Sequence, residues 1–208
     1  MNDLEIPWLA GSIKRMLIEP DKLFEDVAHK EMNMIIPVVV LIIIGIFSGL
    51  TVYSTIPEVK KNFEFTEEVY NVEHSLRVLK MESFLYPVWT ILFWIIFTLA
   101  FAIFITWLNG WGDFKGMFNC TSYLVYPNLV VSILVFLVQL LPPNLRVILI
   151  VLQLLAAAYN IYLLTKIAES AGKLPHMHAV LAGIVPAFFL SLLWFSYQPI
   201  LALVMGRG

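Results

Sequence analysis

Apolar residues fall into five long runs, separated by three short polar stretches and one long one. The runs cover about Met34 to Ile56, Phe84 to Leu108, Phe118 to Leu141, Leu145 to Leu164 and Ala179 to Val204. Each reaches the roughly 20 residues that a helix needs to cross a hydrocarbon core. Lipid offers no partner to bare backbone N–H and C=O groups, so each run is expected to be helical. The runs are continuous, not alternating, which excludes a membrane β-barrel. The pattern predicts an all-α integral membrane protein: a bundle of five transmembrane helices with amphipathic interfacial helices at the N-terminus. An N-terminal amphipathic segment, 1–33, would precede a five-span membrane domain, 34–208.

The connections differ in character. Pro142-Pro143-Asn144 predicts a tight turn, so the third and fourth runs form a hairpin. The stretch from Asn109 to Met117 is short and carries Gly110, Gly112 and Gly116; Lys166 to His178 is short and polar. The long connection, about Pro57 to Ser83, holds six glutamates against Lys60, Lys61, Arg77 and Lys80. It reads as the main soluble face. Within it Val69, Val72, Leu76 and Leu79 share a helical stripe, predicting an amphipathic helix over about 67–81. Such a helix would lie on the mouth of the bundle or dock a partner.

The N-terminal segment carries a stripe of its own, Ile6, Leu9, Ile13, Met16 and Leu17, with Trp8 beside it. Pro7 can open such a helix and Pro20 limits its extent. The arrangement suits a helix in the headgroup layer, with Trp8, Lys14 and Arg15 as interfacial anchors. Leu23, Phe24 and Val27 form a second short stripe. The alternative for both is a docking platform on the soluble side.

Composition agrees with a membrane solvent. Hydrophobic residues make up 60% and charged residues 13%, against about a quarter charged in soluble domains. A net charge of −2 argues against a nucleic-acid partner. The lone cysteine, Cys120, allows no internal disulfide and is expected to pack, not react. No cleavable signal peptide is expected, because the first thirty residues are polar; the first run would serve as an uncleaved insertion signal. With the N-terminus cytoplasmic, that side would hold seven of the Lys and Arg residues and the other side six, so charge leaves orientation open. Five spans place the two termini on opposite sides. No internal repeat is evident.

Candidate chemistry is sparse. No acidic, basic or histidine side chain falls well inside any of the five runs, which argues against a proton-coupled pump or an intramembrane hydrolase. Glu67-Glu68 superficially matches the paired glutamates of intramembrane CAAX-type proteases, but Val72 stands where that pattern needs arginine. Gly45-Ile46-Phe47-Ser48-Gly49 has no histidine base in another run. The aspartates are Asp3, Asp21, Asp26 and Asp113, too scattered for a phospholipid-transferase motif. His176 and His178 alone cannot complete a metal site. No catalytic residue, metal or cofactor is expected.

Uncharged polar residues say more. Gln153 and Asn160 are seven apart and share a helix face with Ala156 and Ala157; Asn128 and Gln139 lie on the third run. These amides would form either a helix–helix seam or a polar cleft. Gly45 and Gly49, and Ala179 with Gly183 and Ala187, have the spacing of close helix packing, within the chain or between copies. Pro127 and Pro186 would free the carbonyls of Tyr123 and Ala182 and bend their helices.

The stretch Trp111-Gly112-Asp113-Phe114-Lys115-Gly116-Met117-Phe118, with Ser122, Tyr123 and Pro127 beyond it, resembles the Yip family of membrane proteins, named for interaction with Ypt/Rab GTPases. In that family a glycine-bearing loop enters the third span, where a small residue and tyrosine precede a proline. Here Gly112, Phe114, Ser122, Tyr123 and Pro127 occupy those places, with Ser122 where glycine is usual. Upstream, the segment from Met16 to Phe24, with Pro20, resembles the proline-then-Phe segment before the family's first span. The five-span plan also corresponds. The resemblance implies a five-helix bundle, a cytoplasmic N-terminus and, in eukaryotic relatives, a role in vesicle traffic. Small-GTPase binding is not expected here, since the long acidic N-terminal tail of many members has no counterpart. The expected function is a non-enzymatic scaffold or adaptor in membrane organisation. Its partners would be membrane lipids, a protein at the N-terminal segment or the 57–83 loop, and a second copy of the chain. The alternative is a channel or transporter for a lipid or small solute.

Overall fold

The computed structural model describes residues 11, 14–29, 35–65, 72–142 and 145–188. After a short helical stretch at 14–18 (α1), the elements are α2 (Pro20–Ala28), α3 (Ile35–Phe65), α4 (Val72–Trp107), α5 (Phe114–Ser122), α6 (Val125–Gln139) and α7 (Val147–Ser170). A shorter apolar helix, α8 (His176–Phe188), follows. Among the described residues four stretches are long and apolar enough to cross a membrane: Ile35–Glu58, Leu76–Trp107, Phe114–Gln139 and Val147–Ser170. The chain is an all-α membrane bundle. Of the fifth apolar run, the part up to Phe188 is described and 189–204 lies outside the described residues.

The expected long loop is largely helical. Pro57 does not end α3, which continues to Phe65, and α4 is under way at Val72. Proline removes one N–H and strains one turn. The carbonyl that loses its donor here belongs to Tyr53, whose side chain is exposed near a polar end of the bundle, where water can take it. Of the stripe expected over 67–81, Val69 falls outside the described residues.

The third run is also divided. Tyr123 and Leu124 close tight turns onto the carbonyls of Cys120 and Thr121, 3.1 and 3.0 Å away, and separate α5 from α6. Pro127 thus sits in the first turn of α6, where a missing N–H costs little. The Tyr123 carbonyl that proline would otherwise orphan accepts from the Tyr126 N–H at 3.3 Å.

Helix α3 packs on both α4 and α6; α2 lies across α5 and α7. The closest approach is between α3 and α4. A Cβ on Gly45 would fall 2.3 Å from Pro87 Cα, and one on Gly49 would fall 2.2 Å from the Ser83 carbonyl oxygen. Pro87 removes the N–H that would otherwise bind that carbonyl. The bare Cα of Gly49 gives the freed oxygen room, as small residues do at membrane helix seams.

The buried core sits toward the end of the bundle that carries α2. It joins Leu23, Phe24 and Val27 to Phe101, Ile105, Met117, Leu163 and Ile167. Farther along the spans large apolar side chains point outward, among them Leu50, Leu92, Val130 and Leu154. That distribution suits lipid, where burying apolar surface is not what holds helices together.

Candidate functional site

Pro20 opens α2, its fixed φ suiting the first helical position. The spacing of Pro20, Leu23, Phe24, Val27 and Ala28 puts one apolar stripe along the helix, and all five are buried. This stripe faces α5 and α7, not the headgroup layer; Phe24 is 0% exposed. Two carbonyls of α2 accept from α5 side chains. Asn119 Nδ2 donates to Val27 O at 3.5 Å, and the Cys120 thiol donates to Phe24 O at 3.4 Å.

The polar face of α2 is tied down by charge. Lys166 Nζ bridges Asp21 at 3.4 Å and Glu169 at 2.8 Å. Lys173 Nζ reaches Glu25 at 2.7 Å, and Arg15 pairs with Asp26 at 2.7 Å. His176 Nδ1 contacts Glu169 in turn. Exposed pairs of this kind contribute about 0–1 kcal/mol each. Burial of one Phe contributes about 1.5–3 kcal/mol, so the apolar stripe dominates and the charges set the register.

Two loops support this end. Helix α4 stops in a turn where Gly110 N–H binds Ile105 O at 2.9 Å and Asn109 N–H binds Thr106 O at 3.0 Å. Asn109 takes the left-handed conformation, φ 63°, that such a stop requires. Trp111 N–H then donates to Gly172 O at 2.7 Å, joining the α4–α5 turn to the α7–α8 turn. Asp113 caps α5 by accepting from Gly116 N–H at 2.9 Å. Gly112 lies so close under α4 that a Cβ would fall 2.0 Å from Thr106 Oγ1.

The remaining motif residues follow from this frame. Phe114 stacks toward Phe118, ring centroids 5.4 Å apart. Ser122 Oγ donates back to Phe118 O at 2.6 Å, and Tyr123 is buried. Of the expected interfacial anchors, Arg15 is held by Asp26, Lys14 is exposed, and Trp8 lies outside the described residues. Of the packing residues, Ala179 is fully buried, and a Cβ on Gly183 would meet Thr165 Oγ1 at 3.0 Å on α7.

A second polar feature lies within the spans. Asn160 Nδ2 donates to Asn128 Oδ1 at 2.9 Å, and Asn128 Nδ2 donates to Leu124 O at 2.8 Å, beside the α5–α6 break. Among the described residues the buried Oδ1 of Asn160 has no partner. Gln139 is buried at the end of α6, while Gln153 is exposed on α7 and does not join the asparagine pair. Thr98 and Thr121 share a further buried hydrogen bond of 2.9 Å between α4 and α5.

One residue escaped sequence reasoning. Glu82 is 3% exposed on α4. Glu82 lies two residues before the apolar run that opens at about Phe84. The available signal was its setting: Met81, Phe84 and Leu85 surround it with apolar positions. At the opposite end from α2, Arg146 Nη1 pairs with Glu58 at 2.5 Å, and Arg146 Nε donates to Leu141 O at 3.2 Å. The hydrogen bond that Arg146 donates to Glu58 holds the guanidinium above its ordinary range. Among the described residues no three His, Cys, Asp or Glu side chains converge as a metal site; His178 is exposed.

No curated protein and no solved structure matches the chain. The family model of the Yip1 domain matches residues 14–197. That range takes in the docked α2, the glycine-bearing turn between α4 and α5, the kinked third span and α8. The chain therefore belongs to the Yip1-domain family of multi-pass membrane proteins.

Proposed function

We propose that this Yip1-domain protein is a non-enzymatic membrane scaffold that binds protein partners at the end of the bundle covered by α2. The observation that carries the reading is the docking of α2. Its apolar side is spent inside the protein, and its register is set by Lys166 and Lys173. What it turns outward is a rigid, charged helix face bearing Glu19 and Lys22. A surface of fixed charges on a rigid element gives specificity and orientation to an encounter. With α2 on the cytoplasmic side, that face would meet soluble or peripheral partners.

The test keeps the fold and reverses the face. Lys22 and Glu19 pair at 3.1 Å, so the double variant Glu19→Lys, Lys22→Glu retains the pair with its polarity inverted. The full-length protein and this variant would be placed in nanodiscs and crosslinked to a membrane extract. Partners of the parent are expected to fall at least about tenfold in yield with the variant, since like-charge juxtaposition costs several kcal/mol. An unchanged partner set would overturn the reading. So would solute flux into liposomes that Asn160→Leu abolishes while helicity survives, because that result would make the asparagine seam a transport site.

A further inference from the structure

Leu17 and Ile18 are adjacent, apolar and exposed, at 62% and 65%. They stand on α1, ahead of the first apolar run. Lys14 is exposed one turn earlier, and side chains three and four residues apart share a helix face. Met16, on the opposite side, is buried. What meets the outer face of α1 is decided by its depth in the membrane.

Two ladders of contacts fix the depth of α2. Along α5, the Ala28 carbonyl lies beside Gly116, Val27 O accepts from Asn119 and Phe24 O accepts from Cys120. Along α7, Glu25 meets Lys173 and Asp21 meets Lys166. The third span starts inward from Phe114, and the fourth comes out at Ser170. Both ladders therefore run inward from the C-terminal end of α2 to its N-terminal end. Lys166, the partner of Asp21, stands four residues before Ser170. That is roughly 6 Å inside the apolar end of α7 at 1.5 Å per residue. An interfacial helix sits about 5–10 Å into the boundary between headgroups and acyl chains, so the N-terminal end of α2 is at that level.

Helix α1 joins α2 at this inner end, but not in line with it. Glu19 leaves the helical region, with φ −140° and ψ 59°, before Pro20, as the residue ahead of a proline tends to do. Arg15 reaches Asp26 at 2.7 Å. In one straight helix those two residues would stand roughly 16 Å apart along the axis, too far for the pair. So α1 turns across the end of α2 and stays at the level of the boundary instead of running deeper. The bilayer already surrounds the spans at that level, so it meets Leu17 and Ile18 with no partner to recruit. We propose that α1 lies in the boundary layer of the leaflet around α2, with Leu17 and Ile18 among the upper acyl carbons and Lys14 reaching a lipid phosphate. Lysine suits the place, because its stem stays among apolar groups while its ammonium reaches outward. The lipid contact holds α2 at a fixed height, and it does not rest on the protein-binding role given to the charged face of α2.

The experiment uses the full chain in liposomes of phosphatidylcholine and phosphatidylglycerol, carrying Cys120→Ser and an environment-sensitive fluorophore on Ile18→Cys. Lys173→Cys, labelled in the same way, is the comparison at the outer end. Two quenchers are applied: a phospholipid with a nitroxide high on its acyl chain, and iodide in the water. At residue 18 the lipid nitroxide should remove most of the emission and iodide little; at residue 173 the order should reverse. Leu17→Cys, a second variant at an exposed position, should repeat the result at residue 18. Lys14→Glu should move residue 18 toward iodide, and an unchanged balance would remove the phosphate from the proposal. Iodide quenching at residues 17 and 18 as strong as at 173 overturns it by placing α1 in water. Quenching by neither agent overturns it as well, by placing Leu17 and Ile18 under protein.

Discussion

A single methyl group on residue 49 would sit 2.2 Å from the Ser83 carbonyl oxygen, and one on residue 45 would sit 2.3 Å from Pro87 Cα. Neither obstacle is a flexible side-chain end; both are backbone, so the helices themselves must part. Gly49→Ala is expected to destabilise the bundle by about 1–3 kcal/mol, read as a lower unfolding midpoint in detergent. Gly11, with open space around it, provides the neutral control. The spacing of Gly45 and Gly49 was legible as a packing signature. Their partner was not, because nothing local links residue 45 to residue 87. Gln153 and Asn160 share the same limit. Helical spacing puts them on one face, yet only Asn160 reaches Asn128. Which amide finds a partner depends on what the next helix offers at that depth.

At the scale of elements, α2 shows how one amphipathic stripe can be read in two ways. Leu23, Phe24 and Val27 could cover lipid or protein, and the period is identical. The choice is made by the hollow that α5 and α7 form, in which Phe24 is fully buried. Truncating Phe24 to Ala should weaken docking by about 3–5 kcal/mol. Hydrogen exchange would then show the amides of 14–28 exchanging at least about tenfold faster, with those of α3 and α4 unchanged. Raising the salt concentration should do much less, since the pairs to Lys166 and Lys173 are partly solvated. The break between α5 and α6 belongs to this scale too. Pro127 announces a disturbance of the third run, and the bend falls at Tyr123 and Leu124, where the backbone can retighten.

For the whole molecule, the contacts define two ends. Asn109, Lys173 and α2 gather at one, through the Trp111 bond to Gly172 and the Lys173 bridge to Glu25. Glu58 and Arg146 meet at the other. Single cysteines at Lys22, Asn109 and Lys173, in a Cys120→Ser background, should all react with a membrane-impermeant thiol reagent from the same side of sealed vesicles. Cysteines at Lys60 and Arg146 should react only from the opposite side. Labelling of Lys22→Cys and Arg146→Cys from one side would contradict the arrangement.

Much followed from the chain alone. The helical class, the membrane solvent and the approximate places of the spans follow from long continuous apolar runs, because hydrocarbon leaves the backbone no choice but to bond itself. The family pattern around Gly112, Tyr123 and Pro127 was local enough to read. The tertiary structure decided what depends on distant residues meeting: that α2 is covered by protein, that Glu82 is buried, that the region past Pro57 stays helical and that Asn160 rather than Gln153 reaches Asn128. Periodicity gives the direction in which a side chain leaves its helix. It does not say which neighbour, or how much lipid, stands there to receive it.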